Sequence, residues 1–225
     1  MRLHSAMAIH PFFSPTPPAL KICGVTLAGE AEQLTALHVD ALGFNFWPKS
    51  KRYLNPADAI WLPTLAGRVL RVGVFVNAPV EETIRMVRDG WIDVVQLHGD
   101  ESPAYALPLV AAAIPFIKAI GVDKHDVLER ADEFGATAIL IDAPAAGMYG
   151  GTGHAFDWTL ADAFRRTHPA LPIILAGGIT PENAAAAIAA VQPAALDVAS
   201  GAEISPGRKD FGKVTDLLAA VRAAR

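Results

Sequence analysis

Apolar residues in this chain fall into short, β-branched runs separated by stretches in which they recur every three or four positions. The runs Ala19–Cys23, Ala41–Phe46, Val69–Val76, Val94–Leu97, Pro115–Ile120, Ala138–Asp142, Ile173–Ala176 and Ala195–Val198 predict strands. Helical patterning fills Gly29–His38, Val80–Arg88, Pro103–Ala113, Asp126–Glu133, Trp158–Thr167, Pro181–Ala190 and Phe211–Ala224. Asn55–Leu65 is a poorer helix, because it contains Pro56 and Pro63. Strands and helical segments alternating eightfold are the pattern of an α/β protein built as a single (β/α)8 TIM barrel. No linker breaks the alternation, so residues 19–225 read as one barrel domain. A doubly wound open sheet shares this periodicity, but it would usually carry a glycine-rich turn after its first strand. Here the glycines gather late, at Gly150-Gly151-Thr152-Gly153, Gly177-Gly178 and Ser200-Gly201, after strands six, seven and eight. Barrel phosphate sites form from the loops after strands seven and eight, where exposed N–H groups approach oxygen without a Cβ in the way. The barrel is favoured.

Composition sharpens this picture in three places. With 52% hydrophobic and 19% charged residues over 225 positions, the chain can bury a substantial core. A net charge of −4 and a pI near 5.9 supply no basic field, so neither nucleic acid nor an anionic membrane is an expected partner. Phosphate recognition would then be local. The one cysteine rules out an internal disulfide and favours a reducing compartment. The longest apolar run, Leu107–Ile117, is too short to span a bilayer and contains Pro108 and Pro115. Residues 1–18 end in Ser14-Pro15-Thr16-Pro17-Pro18 and lack the apolar core of a secretory signal. They read as a disordered N-terminal extension, with Met7 as an alternative start, and the protein as cytoplasmic.

Candidate chemistry sits at the strand ends, where barrels place their active sites. Cys23 closes the first strand before Gly24, and alternation turns Lys21 and Cys23 to the same side, with Ile22 opposite. A lone cysteine is more often a small buried hydrophobe than a reactive group. Asp142 closes strand six, three steps round the barrel from strand one, with Leu140 inward and Ile139 and Ile141 outward. Alone it would read as a loop-entry aspartate capping nearby amides. Together, a thiol and a carboxyl facing one another across a mouth suit moving a proton onto one atom and off another. Arg52 follows strand two and offers a planar fork for a carboxylate or phosphate, or else lies in a solvated basic loop. His98 ends strand four and faces the same mouth. By parity Lys21, Gln96, Lys118 and Asp197 point inward beneath it. Lys118 suggests a Schiff-base lysine, as in an aldolase, but an interior lysine is more commonly paired with a carboxylate such as Asp197, so Lys21 and Lys118 are expected to help the site electrostatically without a covalent intermediate. Borohydride trapping of an adduct on Lys118 would decide for the aldolase.

These motifs occur in order along the chain. Lys21-Ile22-Cys23-Gly24-Val25-Thr26, Gly43-Phe44, Ser50-Lys51-Arg52-Tyr53, Val72-Gly73-Val74-Phe75-Val76-Asn77 and Gln96-Leu97-His98-Gly99 are followed by Asp142 and Gly150-Gly151-Thr152-Gly153. Phe156-Asp157-Trp158, Leu175-Ala176-Gly177-Gly178, Asp197-Val198-Ala199-Ser200-Gly201, Glu203 and Pro206-Gly207-Arg208-Lys209-Asp210 complete the series. From Leu20 almost to the C-terminus the chain resembles the phosphoribosylanthranilate isomerases of tryptophan biosynthesis. The resemblance implies a (β/α)8 barrel without metal or cofactor that performs an Amadori rearrangement on a small phosphorylated substrate, as monomer or homodimer. It implies Cys23 as general base, Asp142 as general acid and Arg52 as the residue that holds the anthranilate carboxylate. Gly178, Ser200 and Gly201 match phosphate-binding positions, and Gly151 lies in the neighbouring loop. His98 and Asp197 join the substrate-binding set because they face the mouth or lie beneath it. Asp142 would be kept as an acid by desolvation, and Cys23 would work as a thiolate with Lys21 as its helper. Related barrels fit less well: the histidine-pathway isomerase uses two aspartates, and the catalytic lysine and glutamates of indole-glycerol-phosphate synthase have no match at these strand tips. Intact Cys23, Asp142 and Arg52 argue against a barrel that binds without catalysing, which anthranilate-analogue binding without turnover would favour. The extension and the loop Ala143-Pro144-Ala145-Ala146-Gly147 depart from the family pattern.

Overall fold

The structure is a computed structural model that describes residues 10–14, 18–121, 125–142 and 158–224. Eight parallel strands close into a barrel in sequence order. They are β1 (Ala19–Cys23), β2 (Ala41–Asn45), β3 (Leu70–Phe75), β4 (Val94–Leu97), β5 (Phe116–Gly121), β6 (Ala138–Asp142), β7 (Ile173–Ala176) and β8 (Ala195–Val198), with β8 pairing back onto β1. The helices among the described residues are α1 (Ala28–Ala36), α2 (Val80–Arg88), α3 (Pro103–Ala111), α4 (His125–Glu129), α5 (Thr159–Thr167), α6 (Pro181–Val191) and α7 (Phe211–Ala223). The expected helix over 55–65 is replaced by two single 3-10 turns, Pro56–Asp58 and Leu62–Leu65. Each holds its proline in its first turn, where no N–H is needed, and the second proline cannot donate back into a continuous α-helix. Among the described residues no helix is long and apolar enough to cross a membrane.

Helix starts are set by local chemistry. Ser102 accepts from Tyr105 N ahead of α3, and Asp210 accepts from Gly212 and Lys213 N ahead of α7. At α6, Thr180 and Asn183 form a reciprocal capping box, and Asn183 Nδ2 also donates to Gly178 O at 2.9 Å. The cap that starts this helix therefore also fastens the loop after β7.

Two cores result from strand alternation. Leu20, Ile22, Leu42, Phe44, Ile139, Ile141, Leu175 and Leu196 face the helices in the larger one. The smaller lies inside the barrel, where Ala19, Ala41, Leu70, Val94, Ala138 and Ala195, each the first residue of its strand, form much of the floor. Small residues there leave room, and that room is filled from an unexpected source. Pro11–Phe13, within the extension expected to be disordered, form a 3-10 turn with Phe12 and Phe13 only 1% and 3% exposed, packed in the interior cluster. The two rings meet edge to face, with centroids 5.1 Å apart.

Lys118 departs from the inward placement. Phe116 and Ile120 pack in the outer core, while Ile117 and Ala119 belong to the interior one, so Lys118 points toward the helix layer. Its partners are Glu101 Oε2 at 2.7 Å and Gly99 O at 2.8 Å, not Asp197. Strand β5 is apolar on both faces, as strands of parallel sheets are, and such a run carries no phase from which to read direction.

Candidate active site

Cys23 ends β1 at the mouth, half-buried. One inward position below it, Lys21 is fully buried and donates to both carboxylate oxygens of Asp197, at 2.9 and 2.8 Å. This pairing is what makes an ammonium tolerable inside a barrel. Burial opposes the Lys21 charge, but Asp197, and to a lesser degree Cys23, outweigh it and raise its pKa. Asp197 is itself 7% exposed with both oxygens engaged, so its place is beneath the mouth as the partner of Lys21, not on the rim with the substrate-binding residues. The expectation that Lys21 would lower the thiol is also revised. Burial, and then the Asp197 charge, push the Cys23 thiol up, and the opposing pull of Lys21 and Lys209 does not overcome them.

A neighbouring strand leaves space for this thiol. A Cβ at Gly43 on β2 would lie 2.7 Å from Cys23 Sγ and 3.0 Å from Lys21 Nζ. Gly43 was noted in sequence only as part of a motif, yet it shapes the pocket of the thiol.

The pKa direction gives a pH dependence with a definite sign. A raised thiol pKa means that the reactive thiolate grows only as pH passes above the ordinary thiol range, about 8.5. The rate of Cys23 alkylation by iodoacetamide, followed by mass spectrometry, is expected to have its midpoint above that of a free cysteine. A midpoint below it would mean that the two lysines dominate after all.

Across the mouth, Asp142 Oδ2 lies 3.3 Å from His98 Nε2, and His98 Nδ1 is 2.9 Å from Gln96 Nε2. With the Gln96 amide donating to Nδ1, the proton of a neutral His98 sits on Nε2, facing Asp142. The Asp142 side chain is 43% exposed, so the described residues do not supply the desolvation expected around it. The loop that follows, with Gly151, lies outside the described residues.

Arg52 stands in the loop after β2. Its Nε and Nη2 donate to the two oxygens of Glu203, at 2.8 and 2.6 Å. Burial pushes the Glu203 carboxyl up, but Arg52 and Lys209 reverse this and hold it below the usual carboxylate range. Lys209 Nζ donates to Glu203 Oε1 at 2.7 Å and to Cys23 O at 2.6 Å, so one buried carboxylate links the arginine to the base of the thiol loop. Glu203 and Lys209 appear in the sequence motifs without a role. The only signal for them was their place in a short glycine turn just after the last strand.

The remaining rim is backbone. Gly177 and Gly178 after β7 have φ of +86° and +61°, a region that favours glycine. Ser200 and Gly201 open a 3-10 turn after β8, and a Cβ at Gly201 would come within 1.9 Å of Ile179 O. The two loops are thus in backbone contact, which only glycine permits. Among the described residues, the N–H groups of Gly178, Ser200 and Gly201 are not spent on hydrogen bonds. Unspent amides of this kind can receive an anion such as a phosphate. Among the described residues there is also no group of three or more His, Cys, Asp or Glu placed to hold a metal ion.

Comparison with known proteins bears on the barrel as a whole. Residues 20–220 match the family model described as N-(5'phosphoribosyl)anthranilate (PRA) isomerase. The chain is 43% identical over 208 residues to N-(5'-phosphoribosyl)anthranilate isomerase of Solibacter usitatus, covering 91% of this chain and 98% of that protein. The crystal structure of phosphoribosyl anthranilate isomerase from Thermotoga maritima superposes with a TM-score of 0.79 at 38% identity, covering 92% of this chain and 99% of that one. A further phosphoribosyl anthranilate isomerase, in complex with reduced 1-(o-carboxyphenylamino)-1-deoxyribulose 5-phosphate, matches with a TM-score of 0.77 at 35% identity, over 92% of this chain and 99% of that chain.

Proposed function

Since the chain belongs to the N-(5'-phosphoribosyl)anthranilate isomerase family, we propose that Cys23 is the general base and Asp142 the general acid of its reaction. The enzyme is an isomerase of tryptophan biosynthesis. It converts N-(5-phosphoribosyl)anthranilate into 1-(2-carboxyphenylamino)-1-deoxy-D-ribulose 5-phosphate, an internal oxidoreduction within one sugar. The observation that carries the assignment is positional: Cys23 and Asp142 end inward-facing rows on β1 and β6, three strands apart around one mouth.

The steps follow from what these groups can do. Asp142 gives a proton to the furanose ring oxygen as the C1–O bond breaks, and the nitrogen lone pair closes to an iminium. The iminium draws electrons from C2, so the C2 proton becomes acidic and Cys23 removes it as thiolate, leaving an enolamine. Protonation at C1 and loss of the C2 hydroxyl proton then give the ketone. A raised thiol pKa makes the thiolate scarce, but each thiolate is a stronger base, and Lys21 and Lys209 limit how scarce it becomes. Arg52 takes the anthranilate carboxylate, while the amides of Gly178, Ser200 and Gly201 take the phosphate, with Gly151 assigned to the same end. Anchored at both ends, the sugar is presented between acid and base, and such orientation removes much of the entropic part of the barrier. His98 steadies the Asp142 carboxylate after proton transfer. Asp197 acts through Lys21.

Replacing Asp142 by Asn tests the acid. With 43% of the side chain exposed, water can stand in for part of its role. The expected loss in kcat is therefore about 10²-fold, the lower end of the range for a general acid, with KM little changed. The readout is the disappearance of the fluorescence of freshly generated N-(5-phosphoribosyl)anthranilate. Near-normal kcat in this variant would remove Asp142 from the mechanism.

A further inference from the structure

Glu203 opens a short hairpin after β8, formed by β9 (Glu203–Ser205) and β10 (Arg208–Lys209). It is 6% exposed, and a carboxylate so placed must spend its lone pairs on protein donors. Four donors converge on it: Arg52 Nε, Arg52 Nη2, Lys209 Nζ and Gly207 N, the last at 3.1 Å. Lys209 is itself pinned to Cys23 O, so the carboxylate cannot drift with the hairpin.

What this does to Arg52 is specific. A guanidinium carries five N–H groups in a planar fork, and it can meet a carboxylate on its Nε side or on its Nη1–Nη2 end. Glu203 occupies the Nε side. Among the described residues nothing bonds Nη1 or the second N–H of Nη2, which together make the end-on edge, and the Arg52 side chain is 25% exposed. The stem is held from the other face by Gly24, where a Cβ would lie 2.2 Å from Arg52 Cδ and φ is +75°. Arg52 is therefore clamped on one edge and along its stem, with a second carboxylate-shaped edge left over.

We propose that Glu203 is a positioning residue that fixes the end-on edge of Arg52 toward the carboxylate of the substrate, so that specificity for an anthranilate over an aniline is set by a residue that touches neither. This rests on the assignment of Arg52 to the substrate carboxylate. Glu203→Gln keeps the size of the side chain but sets an amide N–H₂ group against the donors of Arg52, which turns the fork away.

The experiment uses the purified protein, its E203Q and R52A variants and the double variant, each checked for an unchanged circular dichroism spectrum. Two substrates are compared: N-(5-phosphoribosyl)anthranilate, and N-(5-phosphoribosyl)aniline, which lacks the carboxylate. A misplacement of about 1 Å can cost as much as 10²-fold. E203Q is expected to raise KM for the anthranilate roughly 10- to 100-fold while leaving KM for the aniline within about twofold. The double variant should be no worse than R52A alone. Equal losses on both substrates would show a merely structural role and overturn the proposal. So would an E203Q variant that keeps its KM for the anthranilate when R52A does not. An R52A variant with unchanged KM for the anthranilate would remove the premise, and the proposal with it. Should E203Q fail to fold, Glu203→Asp retains the charge but withdraws the fork by one methylene, and the same substrate comparison decides.

Discussion

Cys23→Ala is expected to lower kcat by about 10³- to 10⁴-fold, the upper part of the range for removing a general base, with a much smaller change in KM. The size follows from the surroundings of the thiol. Asp142 is substantially exposed and water can partly replace it, whereas Cys23 lies against the Lys21–Asp197 pair with no room on the β2 side. The C2 proton of the substrate has nowhere else to go: Lys21 is already spent on Asp197, and a carboxylate tied to an ammonium is a poor base. On the proposed assignment substrate binding is held by the arginine and the amide arc, which the substitution leaves in place. Turnover of N-(5-phosphoribosyl)anthranilate under saturating substrate measures the effect. If Cys23→Ala turned over within tenfold of the parent, some other group would have to be the base, and Asp197 would become the first candidate.

The second large effect concerns stability. Phe12→Ala is expected to destabilise the protein by about 3–5 kcal/mol, the usual cost of emptying a buried phenylalanine site. For a chain of this length that corresponds to a fall of roughly 6–20 °C in Tm. Phe12 is only 1% exposed among the first residues of the strands, several of which are alanines that cannot expand into the void. Phe13 adds to the same plug, so the double variant Phe12→Ala, Phe13→Ala should fall further. It should do so by less than the sum of the two single losses, because the rings touch. Activity per folded molecule should be unaffected, since the floor lies at the opposite end of the strands from Cys23 and Asp142. Thermal unfolding followed by circular dichroism checks it, and a single-variant shift of under 1 °C would show that the turn is not a structural part of the barrel. The family match begins at Leu20, past this plug.

How far a side chain's direction is legible in sequence depends on whether its strand carries a polar–apolar phase. On β1 and β6 a polar group follows apolar residues at the strand tip, so the inward rows Lys21–Cys23 and Leu140–Asp142 had a phase and were placed correctly. On β5 every flanking position is apolar, and Lys118 was assigned to the wrong face. The stretch 55–65 looked helical by apolar spacing, but its two prolines split it into separate turns. Among site residues, those at strand ends were legible because topology alone sends them to the mouth. Glu203 was not, because its importance comes from contacts 151 residues away with Arg52 and from Lys209 in the facing strand of its hairpin. No local pattern encodes such a pairing. The same is true of Phe12, whose neighbours come from strands spread over most of the chain.

That spread has a consequence for how the protein is made. Phe12 and Phe13 are synthesised before all eight strands, yet their resting place includes Ala195 on the last of them. At ordinary synthesis rates of about 5–20 residues per second, the pair waits roughly 10–40 s before its site exists. During that interval the two adjacent aromatic rings have no completed barrel to cover them. The aromatic turn that fills the floor of the finished barrel is thus, until the last strand is made, apolar surface open to other partners.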